Sequence, residues 1–436
     1  MRLLVVSFAF PPFNSIGGVR VGKIVKYMLA FGHDVRVLTA RDQPFWPTLP
    51  LEVPSEKIIY SKWLTARRKS AQSSLKPADV SKTVKQNSSS KIALKTVLKR
   101  ALGYPYKTLV DFPDSNIGWL PYAESAASRL FKNWRPDLIF ASSPPPTSLV
   151  VAQRLARKYC VPWVADLRDL WIDHPYYDQP RWRKVFEEKL ERHVLSSAAG
   201  VTTVSEPLAE TLKMKYGKTA CIVLNGFDQV DYPESSDVPF DGGRLKILYT
   251  GMIYPGKRDP SPLFEALQRL GTLAERVRVV FHGFFLEGVR PMIRSYGLEH
   301  LVEVHDPVSY KESLRMQAQA DILLLLLWTD PTERGVYTGK LFEYMGARRP
   351  ILAVGGVETV AADLIRKRGI GVALQEPSEI ALQLESWLKQ KETQGGISGL
   401  SEEAIAGVSR QEQTRVLESY LLETLRSGTT PLVTRP

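Results

Sequence analysis

The chain has little cysteine. Cys160 and Cys221 are its only two, far apart and each in an apolar setting, which excludes a disulfide framework and a thiolate metal site and points to a reducing compartment. It also lacks any apolar run near the roughly 18 residues that a membrane-spanning helix needs. The longest obvious run is ILLLLLW at 322–328. The opening RLLVVSFAF imitates a signal peptide, but Pro11 and Pro12 cut it short and no small-residue cleavage site follows, so a buried first strand is expected. Six histidines, with no cluster among them, no Asp-x-Asp pair and no zinc spacing, imply neither a metal nor any other cofactor and offer little for a dedicated acid-base site. The expected location is cytoplasmic, with a peripheral place on the inner face of the cytoplasmic membrane left open.

Phosphate-loop fingerprints are absent too. The stretch from Gly17 to Ile24, GGVRVGKI, fits GxxxxGK, yet Ile24 stands where Ser or Thr must ligate Mg²⁺, and PPFNSI separates the strand from the first glycine. GGxxxG is not the dinucleotide fingerprint GxGxxG either.

Positive charge is plentiful but local. Of the net +12, a surplus of +11 falls in residues 62–107, where twelve basic residues face one acid, Asp79. Aromatic residues are sparse between Lys69 and Arg100, so nucleic acid is not an expected partner. In KIALKTVLKRAL, Leu94, Val97, Leu98, Ala101 and Leu102 share helical spacing, with Lys91, Lys95 and Lys99 on another face. That suits an anionic membrane surface, where each such cation contributes about 1 kcal/mol. A solvated helix covering the first domain fits equally.

A chain of 436 residues with 44% hydrophobic content is long enough for two domains. RLLVVSFAF, VGKIVKYMLAFG and HDVRVLT read as strand, helix and strand. The theme returns with DLIFASS, VVAQRLARKY, VPWVADLRD, FEEKLERHVLSSA and GVTTVSE, and restarts after the linker-like YPESSDVPFDGG with LKILYTG. The expected fold is α/β with two Rossmann-like, doubly wound domains facing a central cleft: 1–232 with the insertion 62–107, a linker at 233–243, 244–410, and a C-terminal helix at 411–428 that packs on one domain or back across the cleft.

Candidate chemistry gathers at strand ends. Gly17 and Gly18 open a helix whose amides could face a diphosphate or sugar, or they form a tight turn needing positive φ. Arg168 and Asp169 follow a buried strand, as a ligand pair or an ordinary ion pair. Gly251, Lys257 and Arg258 follow another, and the two cations could neutralise a pyrophosphate leaving group or be a solvated basic loop. YTGKLFEY, Tyr337 to Tyr344, puts Thr338 at the mouth of a helix, with the amides of Gly339 and Lys340 and the side chain of Glu343 on its first turns. It is a phosphate cradle or a helix capped by Thr338.

Taken in order, FAFPPFNSIGG, RPDLIFASSPPPT, VTTVSEPLAETLKMKYG, NGFD and, most specifically, KLFEYMGARRPIL resemble the family 4 glycosyltransferases, retaining enzymes of the GT-B fold. The resemblance covers nearly the whole chain except the basic insertion. It implies metal-independent transfer from a nucleotide-diphosphate-sugar, UDP favoured over GDP, to a glycan or polyprenyl-linked acceptor in surface polysaccharide or glycolipid synthesis. The implied donor contacts are Gly17, Gly18, Gly251, Lys257, Arg258, Val308 beside Pro307 and Ser309, Tyr337, Thr338, Gly339, Lys340 and Glu343, the last toward the ribose. Asn14, Arg20 and Ser143 fall on the acceptor side, and Arg168 and Asp169 at the catalytic position. The chain departs from the family pattern at Met252, where an Arg is usual, at Gly335, where a second Glu is frequent, and at Arg168, where a His is usual. An epimerase or hydrolase of the same fold, or an inactive nucleotide-sugar binding module, is the alternative.

Overall fold

A run such as Ile322–Leu326, ILLLL, has no polar face to offer water, so it requires packing on both sides of its sheet. In the computed structural model, which describes residues 1–64, 111–175, 177–233, 243–254 and 256–428, all five of its residues are buried. Nearly all of the basic insertion and most of the expected linker lie outside the described residues. The chain divides into two compact units. One is Met1–Thr203 with Leu208–Ile222 and Val416–Pro436, the other Val204–Pro207 with Val223–Arg415. Among the described residues, no helix is long and apolar enough to cross a membrane.

The first unit holds a seven-stranded sheet in the order β3-β2-β1-β4-β5-β6-β7. Its strands are β1 Arg2–Val6, β2 Asp34–Ala40, β3 Ile58–Ser61, β4 Leu138–Ser143, β5 Trp163–Leu167, β6 Gly200–Thr203 and β7 Cys221–Ile222, and every pairing is parallel. The second unit repeats the plan with six strands in the order β10-β9-β8-β11-β12-β13. These are β8 Leu245–Thr250, β9 Val277–His282, β10 Val302–His305, β11 Ile322–Leu326, β12 Ile351–Val354 and β13 Gly371–Leu374. Both units are the doubly wound α/β sheets that the sequence leads one to expect.

Periodicity does not reveal β3, β7 or β13, which have four, two and four residues, nor the helices Leu120–Leu130 and Pro377–Gln394. The C-terminal helix runs Arg410–Gly428. In the second unit, Arg410 donates its backbone N–H to Phe227 O at 2.7 Å. In the first, Tyr420 Oη accepts from Val201 N at 3.0 Å and occupies the space a side chain on Gly200 would need. Leu417 and Leu421 are buried, whereas Val416 is exposed.

One polar cluster lies under the first sheet's carboxyl edge. Arg20, on helix Ile16–Ala30, is 1% exposed, and its Nη2 lies 3.1 Å from Asp166 Oδ1. Ser142 and Thr202 donate hydroxyl protons to the same carboxylate at 2.7 and 2.8 Å. They reach it because Ser142, Asp166 and Thr202 are register partners on adjacent strands. Burial by itself raises the Asp166 pKa, but Arg20 and the hydrogen bonds outweigh it and hold the carboxyl below its ordinary value. Arg20, expected on the acceptor side, is an interior partner of Asp166.

Asp166→Asn is expected to remove the charge that Asp166 sets against the buried Arg20 and to destabilise the protein by about 3–5 kcal/mol, read from the denaturant midpoint. Because the folded-state pKa is lowered, the stabilisation is complete above the ordinary carboxyl range and fades as pH falls through the folded value. The wild-type and Asn proteins should therefore converge in stability in acid.

Candidate functional site

The second sheet changes direction beside its first strand, β8, with β11 on the other side. Ligands of open parallel sheets bind at the carboxyl edge of such a reversal. Gly251 follows β8 with φ +129°, and a Cβ there would stand 2.3 Å from Lys340 Cε. Glycine is required twice over, for the backbone angle and for the close passage of the lysine. Lys340 Nζ lies 5.2 Å from the centre of the Tyr249 ring. Burial lowers the Lys340 pKa, and Glu343 opposes the shift.

The helix Gly339–Gly346 starts at this edge. Thr338 has the extended backbone of an N-cap, but its side chain makes no capping bond and its buried Oγ1 has no partner. The expected alternative of a helix capped by Thr338 is therefore not what the structure holds. The helix is fixed from below: Tyr232 Oη donates to the Glu343 carbonyl at 2.7 Å, and a side chain on Gly346 would collide with Phe227 and Tyr232.

Glu343 sits half-buried on the second turn. Burial raises its pKa, while Gln317 and Lys340 pull it back. Gln317 is fully buried, and its Nε2 donates to Thr250 Oγ1 at 2.9 Å, Ser313 Oγ at 3.1 Å and Glu343 Oε2 at 3.4 Å. Its Oε1 has no partner. Sequence reasoning overlooks Gln317; the only signal for it is a polar residue on the buried side of helix Tyr310–Ala318.

The other expected donor contacts divide. Arg258 is half-buried and forms a two-pronged pair with Glu333 at 2.7 and 2.9 Å, which matches its charge. Lys257 Nζ lies 4.6 Å from the centre of the Trp328 ring. Val308 is exposed in the turn between β10 and helix Tyr310–Ala318, whose cap is Ser309. Tyr337 meets Phe342 edge to face at 5.6 Å. Gly335, where a carboxylate is missing, accepts a 2.6 Å hydrogen bond at its carbonyl from Ser205.

In the first unit the same kind of edge, beside β1 and β4, gathers Gly17, Ser143 and Arg168. Gly17 and Gly18 lie in the first helical turn and neither has positive φ. The turn reading is replaced by close approach, since a Cβ on Gly17 would stand 2.5 Å from Arg168 Nη2. The Gly18 amide is bound by the cap Ser15 at 2.9 Å. Arg168 donates its backbone N–H to Ser143 O at 3.2 Å and Nη2 to Pro144 O at 3.0 Å, while Nε is buried without a partner. Burial lowers the Arg168 pKa, and Asp169 and Asp166 oppose the shift. Asn14 is tied to a neighbouring loop through Thr48 Oγ1 at 2.9 Å.

Residues 17–225 match the family described as the glycosyl transferase 4-like domain. No curated protein matches the chain in sequence. Among solved structures the chain is similar to Alr3699/HepE from Anabaena in complex with UDP, at 15% identity and TM-score 0.60 over 98% of this chain and 100% of that one. It is also similar to a glycosyltransferase from Rickettsia africae, at 16% identity and TM-score 0.59 over 98% of each chain. A putative UDP-N-acetylglucosamine 2-epimerase from Listeria monocytogenes aligns at 10% identity and TM-score 0.54, over 100% of this chain and 98% of that one. The fold is that of the GT-B glycosyltransferases, with two Rossmann-like units.

Gly251→Ala is expected to displace Lys340 and strain the backbone, costing about 1–3 kcal/mol. Thermal unfolding checks it. Gly17→Ala, which meets only the end of the Arg168 side chain and has no positive φ to strain, should cost less.

Proposed function

We propose that the chain is a glycosyltransferase that takes a sugar from a nucleotide-diphosphate-sugar, with UDP the favoured carrier and GDP the second candidate. The observation that carries this reading is the helix Gly339–Gly346, which opens at the sheet reversal without a side-chain cap and brings Lys340 and Glu343 to its first turns. Amides at a helix N-terminus attract phosphate, Lys340 adds a full charge in a half-buried setting, and a carboxylate is the natural acceptor for ribose hydroxyls. The match of residues 17–225 to a glycosyl transferase 4-like domain supports the same reading.

In this account the transferred sugar keeps its anomeric configuration. The developing charge on the leaving diphosphate is offset by the amides of Gly339 and Lys340 and by the side chains of Lys340 and Lys257. The leaving phosphate takes the acceptor's proton. Arg168, a donor only, holds an anion and does not act as base, and Asp169 orients it or binds an acceptor hydroxyl. The acceptor is a glycan or polyprenyl-linked sugar bound by the first unit, in surface polysaccharide or glycolipid synthesis on the cytoplasmic face of the membrane. The basic insertion 62–107 draws the enzyme to that face, although nearly all of it lies outside the described residues. Met252, Gly335 and Arg168 favour a second reading, an inactive nucleotide-sugar binding module, which would bind donor and release no sugar.

Glu343→Ala and Lys340→Ala should each weaken UDP binding by 10- to 100-fold, equivalent to roughly 1.4–2.7 kcal/mol, measured by titration calorimetry. Because burial raises the Glu343 pKa, binding should begin to weaken on acidification above the ordinary glutamate range. A Glu343→Ala protein with unchanged affinity would remove this assignment.

A further inference from the structure

Helix Arg181–Ser196 of the first unit is inside out. Its buried face carries Arg183, Glu187 and Glu191 at four-residue spacing, joined below by Val194 and Leu195. Arg183 is paired with Glu187 and donates Nη2 to the carbonyls of Asp111 and Pro113 at 2.6 and 2.9 Å. Burial pushes the Glu191 carboxyl up to about 7. The exposed face carries the large apolar side chains instead: Trp182 at 44%, Val185 at 52% and Phe186 at 56% exposure. Trp182 and Phe186 meet edge to face at 6.4 Å and form one ridge. An ordinary surface helix has the opposite arrangement, and a grouped, solvent-facing apolar ridge marks a contact surface.

We propose that this ridge is where the first unit docks on an anionic lipid surface. Charge selects that occupant over a protein partner. Arg181, Lys184, Lys189 and Arg192 are exposed on the same helix, against a single half-buried acid on that side, Glu188. An aromatic ridge set among cations is the composition of an interfacial helix, with rings at the headgroup level and cations toward anionic phosphates. Chain connectivity adds a second argument. The basic stretch outside the described residues rejoins the structure at Asp111, whose carbonyl is held by Arg183 of this helix. Lys107, the last cation of that stretch, lies four residues before Asp111 in sequence. A groove of about 730 Å³ on the helix's other flank, between Phe112, Leu120 and Leu190, has Arg157 and Lys158 among its lining residues, extending the cationic field.

The ridge goes beyond the proposed donor chemistry, and the two are read separately. Co-sedimentation of the full chain with vesicles of phosphatidylglycerol and phosphatidylcholine, against phosphatidylcholine alone, tests it. The wild type should bind only the anionic vesicles. Val185→Ser with Phe186→Ser should weaken that binding at least tenfold at unchanged melting temperature and unchanged UDP affinity. If the double variant binds like the wild type while Lys91→Glu, Lys95→Glu, Lys99→Glu abolishes binding, the insertion alone docks and the ridge assignment is overturned. A wild type that ignores both vesicles, or a ridge that holds two copies together in a dimer dissolved by the same substitutions, overturns it as well.

Discussion

In each sheet the chain lays down a first strand, adds two neighbours on one side, then crosses over and continues on the other. Loops leaving the strands on either side of that reversal turn apart, and the gap they leave at the carboxyl edge is a place where a ligand can approach backbone. The second unit brings to its gap the Thr338 hydroxyl and the Gln317 carbonyl oxygen, both buried without partners, and the half-buried Glu343 carboxyl. Holding such groups away from water costs stability unless something completes their hydrogen bonds. Tyr232 and the close seat of Gly346 fix the helix that carries Glu343, so the arrangement persists without a ligand.

The first unit resolves its polar interior differently. Asp166 has Arg20, Ser142 and Thr202 as partners from one helix and two neighbouring strands. That closed network leaves Arg168 as the cation at the edge, threaded past Gly17. Glycine recurs at both edges for the same reason: a long cationic side chain passes where a Cβ would stand. The Asp166 cluster is internally satisfied, whereas Arg168 Nε at the first edge and the Thr338 hydroxyl and Gln317 carbonyl oxygen at the second are buried without partners.

Much of this was legible in the sequence, but unevenly. Long buried strands such as LKILYT and ILLLL announce themselves by unbroken apolar runs, and the helix of KLFEYMG by the small residues before it. Strand β13, GVAL, has four half-buried residues and carries no such signal. Partnerships are harder still. Arg20 and Arg258 look like available cations in sequence, yet each is claimed by an acid far along the chain, Asp166 and Glu333. Gln317 is hidden for the same reason, since its partners Thr250 and Glu343 lie on other elements. On helix Arg181–Ser196 the apolar Trp182, Val185 and Phe186 are exposed while Arg183, Glu187 and Glu191 are buried, an inversion that residue type does not announce.

The central claim is that the edge around Gly339 holds a nucleotide through its diphosphate. Calorimetric titration of the full chain with UDP, UMP and uridine under one buffer measures that claim directly. The account predicts a stepwise gain, with UDP at least tenfold tighter than UMP and uridine weakest, because only the diphosphate reaches both the helix amides and Lys340. Equal affinity for all three, or no binding of any, would contradict it.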